Sequence, residues 1–231
     1  MVIRQPLPTA AELDEIYRAH YSRARIESGQ TLQESGVYAH EAYATFMKRR
    51  LLSKSDRVLD FGTGTGNFVE LLRRRGIVCD GLEASADARD FCLKERGISL
   101  FDSAAAAPRQ AYDIVTMIEV IEHLPDFWRH LETVRALLKP GGQIFVTTPN
   151  REGLRARLEK GVWREATKQF HLILFSPKSL NRELRMSGFD HVKLIRFSPI
   201  QSPGWRSLFV GRSLQVLGLH GTICVVARKP R

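Results

Sequence analysis

Val58-Leu59-Asp60-Phe61-Gly62-Thr63-Gly64-Thr65-Gly66-Asn67-Phe68 is the stretch whose reading decides the fold. A short apolar run ends at Asp60, and three glycines alternate through the turn behind it. An amphipathic helix then begins, with Phe68, Val69, Leu71 and Leu72 as its apolar positions. Glycine reaches positive φ and lets backbone N–H groups approach a ligand closely. A helix N-terminus behind such a turn favours polar or anionic groups. The dinucleotide fingerprint G-x-G-x-x-G fits in neither register, because the third glycine would fall at Asn67 or at Val69. What remains is D-x-G-x-G-x-G-x-F, set against the plainer reading of a strand-to-helix turn with no ligand.

Moving outward, Ile77 to Glu83 reads as a second strand that ends in an acid. Glu83 lies about 20 residues beyond Gly62, where a nucleotide-binding α/β unit sets a carboxylate against ribose hydroxyls. A helix over Ala86 to Arg96 and a short third strand, Ile98 to Phe101, lead to Asp102-Ser103, within reach of an adenine amino group. Tyr112 to Pro125 contains an apolar run suited to a central buried strand, with Glu119, Glu122 and His123 at its C-terminal end. Ligands of open α/β sheets bind at that end. A helix from Phe127 to Leu138, a turn at Lys139 to Gly142 and a fifth strand from Gln143 to Thr148 follow. Residues 57 to 148 thus alternate strand and helix, with right-handed crossovers expected.

The flanks are less regular. Met1 to Pro8 reads as a loose arm, and Thr9 caps a helix through about Ala24 with Leu13, Ile16, Tyr17 and Tyr21 at helical spacing. A second helix covers Val37 to Leu52, where Tyr38 and Tyr43 either pack or line a mouth. Residues 1–54 read as a small helical cap and 55–231 as the main domain. Pro149 to Phe175, with Arg151, Arg155, Arg157, Trp163, Arg164, Phe170 and His171, reads as a functional insertion. Ser176-Pro177 starts a helix that runs to Met186 and closes at Gly188. Val192 to Phe197 and Thr222 to Ala227 read as the last strands. Between them, Trp205, Leu208, Phe209, Val210, Leu214, Val216 and Leu217 make an apolar excursion, open to three readings: a lipophilic substrate wall, a membrane contact or core packing.

The chain has 231 residues and a formal net charge of +10. That balance attracts nucleic acid, anionic lipid or an anionic substrate without choosing among them. No basic-aromatic RNA module and no zinc-type cysteine set is present, which disfavours nucleic acid. Cys79, Cys92 and Cys224 are scattered, which points to reduced thiols and a cytoplasmic protein. No apolar run reaches the length of a membrane span, and the N-terminus lacks a secretory core. Peripheral membrane contact stays open.

Taken together, D-F-G-T-G-T-G-N-F, the Glu83 strand end, E-V-I-E-H-L-P-D, L-K-P-G-G and T-T-P-N-R resemble the class I S-adenosylmethionine-dependent methyltransferases. T-P-N-R-E-G and L-H-G-T-I-C-V-V-A-R-K are similar to the group containing the ubiquinone-biosynthesis O-methyltransferases. The resemblance implies a Rossmann-like seven-stranded α/β sheet flanked by helices, mostly parallel, with its last strand antiparallel. It implies S-adenosyl-L-methionine as methyl donor. Asp60, Gly62, Gly64 and Gly66 would hold the methionine part and Glu83 the ribose, while Asp102 and Ile118 would flank the adenine and the sulfonium side. Thr63, Phe68, Ala84 and Ser103 complete the implied donor set. Thr63 stands where the family often has Cys or Ser, and the N-terminal helices carry no alignable motif, so the acceptor is not inherited.

O-methylation of a small molecule is the leading reading. Its rivals are an RNA methyltransferase and a non-catalytic donor-binding partner subunit. Because the sulfonium already activates the methyl, the protein mainly aligns the nucleophile and removes its proton, roles that fall to His123 and Glu122. Glu119, Glu122, His123 and His171 also resemble the ligand set of a metal-dependent branch. Mg²⁺ or another divalent cation there would lower the pKa of an acceptor hydroxyl. The alternative is a metal-free site with His123 packed or acting as general base. The oligomeric state is not legible.

Overall fold

In the computed structural model, which describes residues 1–29, 37–53, 55–196 and 219–231, the chain opens with β1 (Val2–Ile3). Helices α1 (Ala10–His20), α2 (Arg23–Glu27) and α3 (Val37–Arg50) follow. Thr9 caps α1, as its sequence predicts, and the structure adds a capping box with Glu12. The helix stops at His20, short of Ala24, and Ser22 starts α2.

Strand β2 (Arg57–Phe61) leads through the glycine turn into α4 (Asn67–Arg74). Then come β3 (Val78–Leu82), α5 (Ala86–Arg96), β4 (Tyr112–Ile118), α6 (Phe127–Leu137) and β5 (Leu138–Pro149). The insertion carries α7 (Leu154–Glu159), α8 (Arg164–Thr167) and β6 (Ile173–Leu174). The chain ends with α9 (Pro177–Met186), β7 (Asp190–Leu194) and β8 (Thr222–Arg228). The main sheet runs β3-β2-β4-β5-β8-β7. Strands β3, β2, β4 and β5 are parallel, and β8 runs antiparallel to both of its neighbours.

Side chains alternate across this sheet, so its two faces bury separate clusters. One holds Leu59, Val115, Met117, Ile144 and Val225 with α6 and α9. The other holds Val58, Ile114, Phe145 and Cys224 with Tyr43 and Met47 of α3 and Phe68 and Leu72 of α4. All three cysteines are free and buried.

Two expectations need correction. The sheet among the described residues has six strands, not seven, because Ile98 to Phe101 contributes only one bridge, Leu82 with Phe101. Gly97, at φ 64°, caps α5, and the Ile98 N–H still points back to Cys92. Phe101 alone meets the edge, donating to Gly81 and accepting from Glu83 at 2.9 Å each. Nor is the N-terminal arm loose. β1 pairs antiparallel with β6, and Arg4 reaches the Lys168 and Gln169 carbonyls at 3.1 Å each. The insertion offers an unpaired backbone edge, and the arm satisfies it.

The Trp205 to Leu217 excursion, Phe197 and the Tyr38 side chain lie outside the described residues. No described helix is long and apolar enough to cross a membrane.

Candidate functional site

The loops after β2, β3 and β4 open into one cavity of about 880 Å³, roofed by α1 and by residues 168–171. That volume lies in the upper part of the range for small-molecule sites.

Its first wall is the glycine turn. Gly62, Gly64 and Gly66 all adopt positive φ, between 56° and 81°. A Cβ on Gly62 would meet Val120 Cγ2 at 2.7 Å, and one on Gly66 would overlap Cys92 Sγ. Gly62, Thr63, Gly64, Thr65 and Asn67 line the cavity. Gly66 and Phe68 do not. Phe68 is turned into the core, and Gly66 shapes the turn where it crosses α5. Arg96 of α5 ties that turn down by donating to the Thr65 carbonyl at 2.8 Å.

Beneath the turn, buried Asp60 accepts from the Thr116 hydroxyl at 2.5 Å, and burial pushes its carboxyl up to about 6. Glu83 is buried at the end of β3. Its carboxylate accepts from the Gly64 N–H at 2.8 Å and the Ser85 N–H at 2.9 Å. Burial raises its pKa, and these backbone donors act against that rise. The carboxylate is thus locked to the turn it faces, while each oxygen keeps a lone pair for a ligand. Ala84 continues this wall, exposed Asp102 and Ser103 sit at its far end, and Ile118 lies between the two halves.

The other end gathers residues distant in sequence. Glu119 holds φ 54° and Glu122 and His123 sit in a 3-10 turn, Ile121–His123. Two threonines of β5 hold the acids: Thr147 donates to Glu119 at 3.1 Å, and Thr148 donates to Glu122 at 2.9 Å. Burial lifts both carboxyls, Glu122 to about 7. His123 Nδ1 lies 2.9 Å from the Phe170 carbonyl oxygen, so that nitrogen carries the proton and Nε2 keeps its lone pair. Burial lowers the His123 pKa to about 4, leaving the ring neutral at pH 7. The Tyr17 hydroxyl donates to the His123 carbonyl at 3.2 Å, and the Leu172 N–H to the Glu122 carbonyl at 2.9 Å.

Glu122, His123 and His171 each offer a ligand atom, all within 4.8 Å of one another. Glu122 Oε1 and His171 Nδ1 are shielded from solvent and unpartnered. Glu119 stands outside that grouping, its carboxylate turned to Thr147. Three of the four expected ligands therefore come together.

Sequence reasoning passed over Thr147, Thr148 and Glu165, the last with an oxygen 3.6 Å from His171 Nδ1. The paired threonines in T-T-P-N are the one signal that could have pointed to them. Tyr21 and His40, which also line the cavity, carry no motif.

Fold and site together describe a Rossmann-like α/β protein with a buried carboxylate at a strand end, bonded to a glycine turn. The family model of the methyltransferase domain matches residues 36–194. The ubiquinone biosynthesis O-methyltransferase of Serratia proteamaculans is 31% identical over 173 residues, 71% of this chain and 65% of that protein. The alignment thus spans just under two-thirds of the relative's length. A possible histamine N-methyltransferase from Thermotoga maritima superposes with a TM-score of 0.65 at 20% identity, covering 91% of this chain and 99% of that one. A 1,6-didemethyltoxoflavin-N1-methyltransferase from Burkholderia thailandensis gives 0.65 at 15% identity, covering 99% and 94%. The two structural likenesses speak for the fold alone. The chain belongs to the methyltransferase-domain family, within the class I S-adenosylmethionine-dependent methyltransferases.

Proposed function

We propose that this protein transfers the methyl group of S-adenosylmethionine to a hydroxyl of a small molecule. The observation that carries the reading is one cavity with two dissimilar ends. A carboxylate locked to a glycine turn stands at one, and a neutral histidine whose Nε2 carries no proton at the other. Asp60 and the turn at Gly62, Thr63 and Gly64 would take the methionine part, Glu83 the ribose diol, and Asp102 and Ser103 the adenine. The acceptor oxygen attacks the methyl carbon in line, the carbon–sulfur bond breaks, and the acceptor proton passes to His123 Nε2. Glu122 Oε1, 4.0 Å from that nitrogen, stabilises the imidazolium that forms.

Glu122, His123 and His171 also fit a divalent cation, because two of their donor atoms are buried without partners. When bound, such an ion supplies Lewis acidity that lowers the pKa of the acceptor hydroxyl. A cytoplasmic setting with peripheral membrane contact is part of the same reading. Leu158 and Val162 are 73% and 78% exposed beside Arg155, Arg157 and Lys160 of the insertion.

The test is incubation with methyl-labelled donor and cell extract, split into small-molecule, lipid and RNA fractions. Label in the first two supports the proposal, with loss in excess chelator and recovery with Mg²⁺ or Mn²⁺ if the cation takes part. Label mainly in RNA replaces the acceptor class. Donor binding without transfer to any fraction leaves a non-catalytic partner subunit.

A further inference from the structure

Helix α1 carries no recognisable motif, yet its Tyr17 reaches His123, to which the proposed chemistry gives the acceptor's proton. His123 ends the 3-10 turn Ile121–His123, and a turn that short cannot satisfy its own last carbonyls. The Ile121 carbonyl accepts from the Leu124 N–H at 3.4 Å, within the turn. The Glu122 carbonyl accepts from the Leu172 N–H of the insertion at 2.9 Å. For the His123 carbonyl there is no backbone donor among the described residues, and Pro125 has no N–H to give. The Tyr17 hydroxyl supplies the missing donor, at 3.2 Å. Against a carbonyl oxygen a phenol can only donate.

The ring of His123 is bracketed as well. Tyr17 meets the imidazole edge-on, with centroids 6.5 Å apart and planes at 81°. Phe170 and His171 of the insertion flank it at 5.2 and 4.9 Å. Two elements remote from each other in the chain thus close on one imidazole. The helix that brings Tyr17 is itself fastened, because Thr9 and Glu12 close its first turn and Leu13 packs against the core. Packing alone does not call for the hydroxyl, since phenylalanine would keep the ring contact. What the hydroxyl adds is a fixed place for the His123 main chain.

We infer that Tyr17 is a positioning residue for His123, holding the 3-10 turn so that the imidazole keeps one orientation against the Phe170 carbonyl. The inference rests on the base role proposed above for His123 and extends it to the helix that precedes the sheet. A base must lie within about 2.6–3.2 Å of the proton it takes, and a misplacement of about 1 Å costs on the order of a hundredfold in rate. Among the described residues Tyr17 bonds to neither the glycine turn nor Glu83, so donor affinity should not depend on its hydroxyl.

Nuclear magnetic resonance of protein carrying isotope-labelled histidine, recorded in excess chelator, tests it together with a rate. In the wild type the His123 signals should report one tautomer, protonated at Nδ1. Tyr17→Phe keeps the ring and removes only the hydroxyl, and its His123 signals should broaden or move toward a mixture of tautomers. The initial rate of label transfer from saturating methyl-labelled donor to the small-molecule fraction of cell extract should fall about ten- to a hundredfold. S-adenosylhomocysteine affinity, measured by calorimetry, should stay within about twofold. Tyr17→Met is a second side chain without the donor, for use if the phenylalanine variant folds poorly. If either the tautomer or the rate stays as in the wild type, or if affinity falls as far as the rate, the role of Tyr17 is overturned while His123 keeps its part. A wild-type ring protonated at Nε2, or a wild type that transfers no label to small molecules, overturns both.

Discussion

The two ends of the cavity are built on different principles. At the end formed by the glycine turn and Glu83, the groups that meet are close in the chain. Gly64 and Glu83 are 19 residues apart, and most of the wall comes from residues 60–103. At the end formed by residues 119–123 and the insertion, His123 bonds to Phe170 across 47 residues, Tyr17 to His123 across 106, and Arg4 to Lys168 across 164. A site whose ligand groups are mostly backbone N–H can be carried by a short motif, because glycine spacing alone fixes where they point. A site assembled from side chains on remote elements has no such local record.

The comparison can be broken at either end. The largest effect is expected at Gly66. Gly66→Val must place a β-branched residue at φ 81° and push against Cys92, which should cost about 3 kcal/mol or more and abolish donor binding. Thermal melts and calorimetry check this, with Gly66→Ala in a Cys92→Ala background recovering only the packing part. Intact donor binding in Gly66→Val would mean the turn is not the rigid element it is taken to be.

Asp60 gives a pH-dependent effect. Its ordinary pKa is 3.8 and the folded value is about 6, so below pH 4 both states hold the proton and nothing is lost. As pH rises toward 6 the unfolded chain releases the proton first, and stability falls, with a constant deficit above that. Asp60→Asn should therefore gain about 2–3 kcal/mol on the wild type between pH 4 and 7. Denaturant melts across that range check it, and a flat difference would place Asp60 in a more solvated setting.

Glu83→Ala should weaken S-adenosylhomocysteine by about 1.5–3 kcal/mol by calorimetry, with the fold retained. The smallest effect belongs to the acceptor end. Arg4→Met removes two bonds to the insertion at about 0.5–1.5 kcal/mol. Hydrogen exchange at Leu172 and Ile173 should then speed up roughly tenfold, while donor affinity holds. If donor affinity falls as well, the two ends are mechanically coupled.

The alternating strands and helices from Arg57 to Thr148 were legible because each buries a face with the period of its own geometry. The place of Glu83 at the end of β3 was legible from the apolar run before it and its distance to Gly62. The six-stranded count was not, because whether Ile98 to Phe101 pairs depends on how far Gly97 and Ile98 stay engaged with α5. Phe68 fits the motif by position, yet its ring faces the core, since one residue of register on a helix turns a side chain by about 100°. The pairing of β1 with β6 left no trace in either segment. Two-residue strands have no periodicity to read.

The position of β8 between β5 and β7 has a consequence for how the chain comes off the ribosome. Strand β5 is complete at Pro149, but its outer edge stays bare through the next 72 residues until Thr222 emerges, and β7 has no strand neighbour before then. During synthesis the nascent sheet therefore carries an open edge along Phe145 and Val146. Such edges invite pairing with other chains. Ribosome stalling or truncation before Thr222 should leave a species that forms aggregates, whereas loss of the first four residues should leave a soluble protein with only the insertion around β6 loosened.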